Sequence, residues 1–212
     1  MGGMKDGAQA SIAIHSGSLP DGTRYREAGT GAVPVICLGG GGTLSPMRAR
    51  LAAHHRIVEL IPSTLSASAI SPALAAIGAD RFDLIAHGAS AALALQFALD
   101  RPNEIHSLIL LAPTVLTPNG QANAGVDAAL VERLGQLKPP ILACFGTKDT
   151  IAPVEAARHY RERMPGCNLV LIYDAGYGME TERPEAVASL VLDFLERRDL
   201  FLVRRESDLI FP

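Results

Sequence analysis

The residues most able to do chemistry fall in four short loops, each of which follows an apolar run. These loops carry a glycine run (Gly39–Gly42), His87, Asp149 and Tyr177. An imidazole, a carboxylate and a phenol can hold or transfer protons, and the backbone N–H groups of a glycine loop can bind an oxyanion. If the four loops meet, the sequence predicts a site for proton transfer or oxyanion binding.

The segments around these loops alternate between helical patterns and short apolar runs. The apolar runs are Val33 to Leu38, Ile57 to Ile61, Phe82 to Ala86, Leu108 to Leu111, Ile141 to Phe145 and Leu169 to Tyr173. The helical segments are Pro46 to Ala53, Ser71 to Ile77, Ala89 to Leu99, Val126 to Leu137, Val154 to Met164 and Pro184 to Arg197. This alternation predicts an α/β protein, with a mainly parallel sheet covered by helices on both faces. Ligands of such sheets bind beyond the carboxyl ends of the strands, where the four loops should converge.

Two features lie outside the alternation. Ser11 to His15 and Thr23 to Glu27 flank a turn-forming segment, Gly17 to Gly22, and predict an opening hairpin. Residues 200–212 contain two apolar segments past the last helix, which we expect to pack on this molecule or on a second copy in a homo-oligomer.

The length of 212 residues predicts a single domain, residues 1–212.

The composition excludes several classes of partner. A formal net charge of -3, with no run of Lys and Arg longer than a pair, provides no electrostatic footprint for nucleic acid or an anionic membrane, so we expect a small molecule or a protein as partner. Cys37, Cys144 and Cys167 form neither a disulfide framework nor a metal-ligand pair, and we expect no metal and no cofactor. The chain shows no signal peptide and no apolar run of membrane-spanning length, which predicts a cytoplasmic protein.

An apolar strand turns into a helix through Ala86-His87-Gly88-Ala89-Ser90. This small-x-nucleophile-x-small arrangement resembles the nucleophile elbow of the α/β-hydrolase superfamily. The resemblance extends from Val33 to about Arg198 and implies an α/β-hydrolase fold with a short lid segment at about residues 114–138. It places Gly88 at the position of the nucleophile.

Two further segments resemble the parts of that family that carry the rest of a Ser-His-Asp triad. Pro139 to Pro153 resembles the strand and loop of the acid, and Asp149 stands at the position of the acid. Asp174 to Pro184 resembles the loop of the catalytic histidine, and Tyr177 stands at the position of the histidine. The resemblance therefore implies a triad of which only the acid is kept.

A glycine adopts the strained backbone of the elbow at little cost but brings no hydroxyl. We interpret Ser90 as the closing packing residue of the motif, and His87 as a packing or hydrogen-bonding residue. The predicted oxyanion donors are the loop residues Gly40, Gly41 and Gly42 and the backbone amide of Ala89. Such donors alone would support only about 10³- to 10⁴-fold rate enhancement, so trace turnover is the most that the motif predicts.

Tyr177 is a poor base at neutral pH. A tyrosine pKa near 10 would have to fall by about three units, which requires roughly 4 kcal/mol of preferential phenolate stabilisation. The adjacent Asp149 carboxylate opposes such a fall. We therefore expect a neutral Tyr177 hydroxyl that donates a hydrogen bond to Asp149.

Two classes of function follow. The favoured class is a hydrolase-like protein without serine-hydrolase chemistry, which binds a small molecule or a partner. The alternative is an enzyme: an esterase-like hydrolase with displaced residues, or a lyase or isomerase that uses Asp149, Tyr177 or His87 to handle protons. An open polar pocket with an unpaired Asp149 would favour the enzyme, and a filled pocket with Asp149 bonded to Tyr177 would favour binding.

Overall fold

The computed structural model describes residues 13–19, 22–39, 43–61, 70–71, 74–75 and 77–201. Within them, eight strands form one sheet: β1 (Ile14–Ser18), β2 (Arg24–Ala28), β3 (Val35–Leu38), β4 (Ile57–Ile61), β5 (Phe82–His87), β6 (Ile105–Leu111), β7 (Ile141–Gly146) and β8 (Cys167–Ile172). Their order is β1-β2-β4-β3-β5-β6-β7-β8. The two pairs that involve β2 are antiparallel and all other pairs are parallel. The predicted α/β class and mainly parallel sheet are confirmed.

The named α-helices are α1 (Pro46–Leu51), α2 (Ser90–Asp100), α3 (Ala128–Arg133), α4 (Val154–Arg163), α5 (Met179–Glu182) and α6 (Pro184–Arg197). Residues 70, 71, 74 and 75 are also helical, within or beside the segment predicted from Ser71 to Ile77. Short polar side chains cap the N-termini of two of the helices. Ser45 Oγ accepts from the Arg48 N–H ahead of α1, and Asp127 accepts from the Ala129 N–H ahead of α3.

Side chains of the strands alternate between two cores, one on each face of the sheet. In β3, Ile36 and Leu38 belong to the core that includes α2 and α4, whereas Val35 and Cys37 belong to the core that includes α1 and α6. Because both faces are covered, a charged residue in such a strand needs a buried partner. Glu59, in the middle of β4, is such a residue.

The opening hairpin is confirmed, but its first strand lies further along the chain than predicted. β1 runs from Ile14 to Ser18 and includes Gly17, which the sequence had indicated as part of the turn. Gly17 pairs with Tyr25 across the hairpin, and a Cβ on Gly17 would lie 2.7 Å from the Tyr25 ring. The glycine therefore makes room for a cross-strand aromatic side chain and does not shape a turn.

The segment at residues 114–138 holds α3, a 3-10 turn at Leu134–Gln136 and an isolated bridge between Leu116 and Ala122. Tyr160 of α4 anchors its start. The Tyr160 hydroxyl accepts from the Val115 and Leu116 N–H groups, at 2.8 and 3.0 Å, and donates to the Pro113 carbonyl. Because one buried phenol satisfies three backbone groups, this short segment is tied down against the core.

The described part of the C-terminal tail ends at Phe201. The Phe201 ring packs on Phe194 of α6, with ring centroids 5.3 Å apart, whereas Leu200 is exposed. Residues 202–212, to which most of the predicted tail belongs, lie outside the described residues. Oligomerisation through the tail stays a prediction.

A buried carboxylate and two histidines lie at the other end of the sheet from the candidate loops. Asp83, at the start of β5, accepts from Ser107 Oγ at 2.6 Å and pairs with Arg198 at 2.9 Å. Burial lowers the pKa of His55 and of His106, although the Asp83 carboxylate opposes this effect at both rings.

We expect these two histidines to make stability depend on pH. Their pKa values lie below the ordinary 6.5, so the folded protein binds fewer protons than the unfolded chain as pH falls below 6.5, and stability should fall across that window. Urea midpoints at about pH 7.5 and about pH 5.5 measure this loss. The double variant His55→Gln, His106→Gln should show a smaller loss, and an unchanged loss would assign the pH dependence to other groups.

Candidate functional site

Gly88 lies at a sharp turn between β5 and α2. β5 ends at His87, α2 begins at Ser90, and the Gly88 backbone has a φ of +58°. The Gly88 N–H donates to the Leu111 carbonyl at 2.9 Å, which fixes the turn to β6. A left-handed φ strains any residue that has a Cβ, so glycine holds this geometry without that strain.

The Tyr177 hydroxyl fills the space above Gly88. A Cβ on Gly88 would overlap the Tyr177 hydroxyl and would lie 2.8 Å from its Cζ atom. Burial and the Asp149 charge raise the pKa of Tyr177, although the Ala89 backbone N–H, a donor to the hydroxyl oxygen, opposes the rise. Tyr177 is therefore a neutral phenol whose hydroxyl lies over the turn at Gly88, next to the residue whose amide is the predicted oxyanion donor, Ala89.

His87 holds the backbone of Tyr177. The distance from His87 Nε2 to the Tyr177 carbonyl oxygen is 2.8 Å, and the two rings meet edge to face with centroids 4.5 Å apart. Since a carbonyl oxygen only accepts, Nε2 carries the hydrogen and donates it. The Gly176 N–H donates to the Glu182 carboxylate and fixes the preceding residue. His87 thus has the hydrogen-bonding role that the sequence indicated.

Asp149 is buried, and only one of its two carboxylate oxygens is satisfied. Oδ1 accepts from the N–H groups of Ile151 and Ala152, at 2.7 and 2.9 Å. Oδ2 has no partner within the part of the chain that the structure describes. The adjacent cation, Lys148, pairs with Asp174 instead.

The expected hydrogen bond from Tyr177 to Asp149 is therefore wrong for this conformation. The Tyr177 hydroxyl is at Gly88, and the Asp149 Oδ2 atom that it was expected to satisfy is left alone. The physical reason is the missing side chain at position 88, because it leaves a space of the right size for a phenol oxygen beside the Ala89 N–H.

A buried ion network lies next to these residues. Arg48 of α1, at 1% exposed, donates to Glu59 at 2.7 Å and to Glu180 at 2.9 Å. It also donates to the Gly39 carbonyl at 2.6 Å, and Ser45 Oγ donates to Glu180. One guanidinium therefore joins the start of the glycine loop to the residues that follow Tyr177.

The sequence interpretation missed this network. The signal was available at Glu59, which interrupts the apolar run Ile57 to Ile61 and so requires a buried cation. That cation is Arg48, 11 positions from Glu59. The third member of the network, Glu180, is 132 positions from Arg48, and only the fold brings these two together.

A polar cavity of about 340 Å³ lies beside this network. The described residues that line it are Thr43, Ser45, Arg48, Glu59, His87, Gly178, Glu180 and Thr181. It borders the elbow at His87 and the Tyr177 loop at Gly178. Because its charged side chains are already paired with one another or with Arg26, it offers an uncharged ligand chiefly hydroxyl groups.

A larger groove, of about 720 Å³, lies between β8 and the first half of α6. Its lining includes Ile172, the exposed Tyr173, Pro184 and Leu190. None of the triad-equivalent positions lines it, so volume alone does not identify the candidate site.

Of the glycine run from Gly39 to Gly42, the structure describes only Gly39. Gly40, Gly41 and Gly42 lie outside the described residues. Gly39 has a φ of +79°, and a Cβ there would lie 2.8 Å from Ser90 Oγ. Ser90 therefore lies against the start of the glycine loop, as its interpretation as a packing residue requires.

The strand cysteines are buried thiols. Burial raises the pKa of Cys37 to about 12, although Arg48 opposes the rise, and burial also raises the pKa of Cys144. Thiols this far from ionisation are poor nucleophiles. Among the described residues, no group of three His, Cys, Asp or Glu side chains is placed to hold a metal ion, and no helix could cross a membrane.

Solved structures identify the architecture. The chain is similar to the naproxen esterase of Bacillus subtilis, with 16% identity, a TM-score of 0.72, and coverage of 87% of this chain and 92% of that one. It is also similar to MGS-MChE2, an α/β hydrolase enzyme from a lagoon-sediment metagenome, with 18% identity, a TM-score of 0.71, and coverage of 86% and 99%. The protein has the α/β-hydrolase fold.

Sequence comparison adds a more distant likeness. No family model matches the chain. It is 26% identical over 195 residues to RutD of Klebsiella pneumoniae (strain 342), a protein whose name describes it as a carbamate hydrolase. RutD of Klebsiella variicola (strain At-22) matches equally well. The match covers 82% of this chain but only 64% of each relative, so the chain spans about two thirds of the length of these curated relatives at most.

Proposed function

We propose that this α/β-hydrolase-fold protein does not catalyse acyl transfer and instead binds a small molecule beside the triad-equivalent positions. The observation that carries the proposal is the Tyr177 hydroxyl above Gly88, in the space that the side chain of a nucleophile would need. A serine hydrolase requires an attacking oxygen and a base beside it. Gly88 supplies no oxygen, and a phenol with a raised pKa is not a base at neutral pH.

The polar cavity beside His87 supports an uncharged ligand. Its volume of about 340 Å³ exceeds that of several water molecules, and its lining charges are already paired, Glu180 with Arg48 and Glu59 with Arg48 and Arg26. The hydroxyls of Thr43 and Thr181 can bind carbonyl or hydroxyl groups. Since the RutD relatives are named for a carbamate, methyl carbamate is the first probe that we would use.

Two observations favour the alternative, an enzyme that transfers protons: the cavity beside His87 is open and polar, and Asp149 is not bonded to Tyr177. Asp149 Oδ2 is a buried carboxylate oxygen without a partner among the described residues, and the adjacent Lys148 pairs with Asp174. Such an oxygen could act as a general base if a substrate reached it. In this conformation it has almost no accessible surface, which is why we place binding first.

Hydrolysis of a short-chain nitrophenyl ester tests the absence of acyl transfer. We expect no release of nitrophenol above the buffer rate from the wild type or from Asp149→Ala, because Gly88 supplies no nucleophile and Tyr177 is not a base at neutral pH. The Tyr177 hydroxyl occupies the space above Gly88, next to the Ala89 amide in the chain, so even trace turnover should be small. Turnover by the wild type that Asp149→Ala abolishes would establish the alternative and refute the proposal.

Binding is tested separately, by NMR titration of ¹⁵N-labelled protein with methyl carbamate. The expected result is saturable shifts at the amides of Gly178 and Thr181, which border the polar cavity. Thr181→Val, which removes a lining hydroxyl at nearly constant volume, should weaken binding. Shifts confined to the β8–α6 groove would place the ligand elsewhere and contradict the proposed site.

A further inference from the structure

The Tyr177 hydroxyl and Asp149 Oδ2 could form a hydrogen bond with each other but do not. The Tyr177 hydroxyl blocks the space above Gly88, and the buried Asp149 Oδ2 atom lacks the hydrogen-bond donor that a phenol could supply. A carboxylate oxygen that is buried without a hydrogen-bond partner destabilises the fold, because its lost hydration is not replaced. If the Tyr177 side chain moved away from Gly88, it would open the space there, and its hydroxyl could donate the hydrogen bond that Asp149 Oδ2 lacks.

We propose that Tyr177 is a two-position gate: its hydroxyl leaves Gly88 and donates to Asp149 Oδ2, and the freed Ala89 N–H then binds the carbonyl oxygen of an uncharged ligand. The inference rests on the proposed small-molecule function and adds to the polar cavity a carbonyl-binding position above Gly88, next along the chain to His87 of the cavity lining. In the closed position the phenol oxygen of Tyr177 occupies the place of the ligand oxygen. In the open position Asp149 accepts the hydroxyl hydrogen.

The contacts around Tyr177 allow its side chain to move while its backbone stays in place. His87 holds the Tyr177 carbonyl and Glu182 holds the Gly176 N–H, so the loop is fixed on both sides of the Cα atom. The Tyr177 side chain itself is only half-buried. The loop of Asp149 packs against the backbone just before Tyr177: the Lys148 N–H donates to the Ala175 carbonyl at 2.8 Å, and a Cβ on Gly146 would lie 2.8 Å from the Gly176 carbonyl oxygen. The nearby Asp149 charge also raises the pKa of Tyr177.

The charges around the gate select the ligand. Asp149 is not neutralised by Lys148, which pairs with Asp174, so the open site keeps a negative charge behind Tyr177. A carboxylate ligand would be repelled, whereas the carbonyl of an amide, ester or carbamate would not. We therefore expect acetamide to bind and the isosteric acetate to bind at least tenfold more weakly.

The gate can be forced open without a ligand by Gly88→Ala, because the new methyl group and the Tyr177 hydroxyl cannot occupy the same space. Gly78→Ala is the matched control: Gly78 has a φ of +68°, close to the +58° of Gly88, and a Cβ there meets no atom of the described residues within 4 Å. With [ζ-¹³C]tyrosine, assigned through Tyr177→Phe, we expect one ordered and shifted Tyr177 resonance in Gly88→Ala and no change in Gly78→Ala.

A double-mutant cycle then tests the second position. If the displaced hydroxyl bonds to Asp149, Asp149→Ala should lower the folding equilibrium constant about tenfold more in the Gly88→Ala background than in the wild type. Additive effects, or a Tyr177 resonance at the free-tyrosine position in Gly88→Ala, would overturn the gate. Both measurements use ligand-free protein, so failure of the gate is distinguishable from failure of ligand binding.

Discussion

Gly88→Ser combined with Tyr177→His is expected to hydrolyse a nitrophenyl ester at least about 10²-fold faster than the wild type, because a positioned general base contributes about 10²- to 10⁴-fold. The first substitution supplies an attacking oxygen at the elbow between β5 and α2. The second removes the phenol that occupies this space and places an imidazole beside Asp149. The unpartnered Asp149 Oδ2 atom is then available to orient that imidazole.

Gly88→Ser alone should be inactive and less stable than the wild type. Its side chain would overlap the Tyr177 hydroxyl, and the Ala89 N–H would still be engaged. The matched control for the double variant is Gly88→Ala with Tyr177→His, which opens the same space but supplies no oxygen. Equal rates for the two double variants would show that the added serine is not the nucleophile.

Adding Asp149→Ala to the active double variant should reduce its rate by at least about tenfold, since the imidazole would lose its orienting carboxylate. If the double variant is folded, as shown by an unchanged urea midpoint, and still has no activity, the positions of Gly88 and Tyr177 are not triad-equivalent. That result would remove the physical basis for reading the site as a disabled hydrolase.

The fold was predictable because its information is local. The parallel strands are mainly apolar runs, as Ile141 to Phe145 shows, and each run ends in a loop that must lie at the same edge of the sheet. This pattern placed the loops of Gly88, Asp149 and Tyr177 at that edge, and the resemblance to the α/β-hydrolase elbow and triad loops assigned the three positions within them. The hairpin boundary was missed because Gly17 indicates a turn by type, yet serves to accommodate Tyr25.

The internal arrangement of the site was not predictable in the same way. Whether Tyr177 bonds to Asp149 or lies above Gly88 depends on a free volume of a few atoms, and residue type does not reveal it. The general expectation that a buried acid is satisfied was therefore misleading at Asp149 Oδ2. Places where such a rule fails are common at functional sites, which is consistent with Asp149 serving a ligand or a moving side chain.

Arg48→Met should destabilise the protein by about 3–5 kcal/mol, because removing one partner of a buried ion network leaves its carboxylates uncompensated. Arg48 is the cation that Glu180 contacts, and Glu59 would keep only Arg26. The lost bond to the Gly39 carbonyl should also loosen the start of the glycine loop. Urea unfolding measures the free energy, and hydrogen exchange at the amides next to Gly39 and Glu180 measures the local loosening.

Arg50→Met is the matched control, since it changes the same residue type on the same helix. Arg50 pairs with Glu185, whose side chain is 79% exposed, so its loss should change the free energy of unfolding by less than about 1 kcal/mol. The buried carboxylates of Arg48→Met should also gain protons more readily than in the unfolded chain. Their pKa values would then be raised, and the variant should regain part of its stability as pH falls toward the ordinary carboxylate range. A loss no larger than that of Arg50→Met would mean that the network does not hold the glycine loop and the Tyr177 loop together.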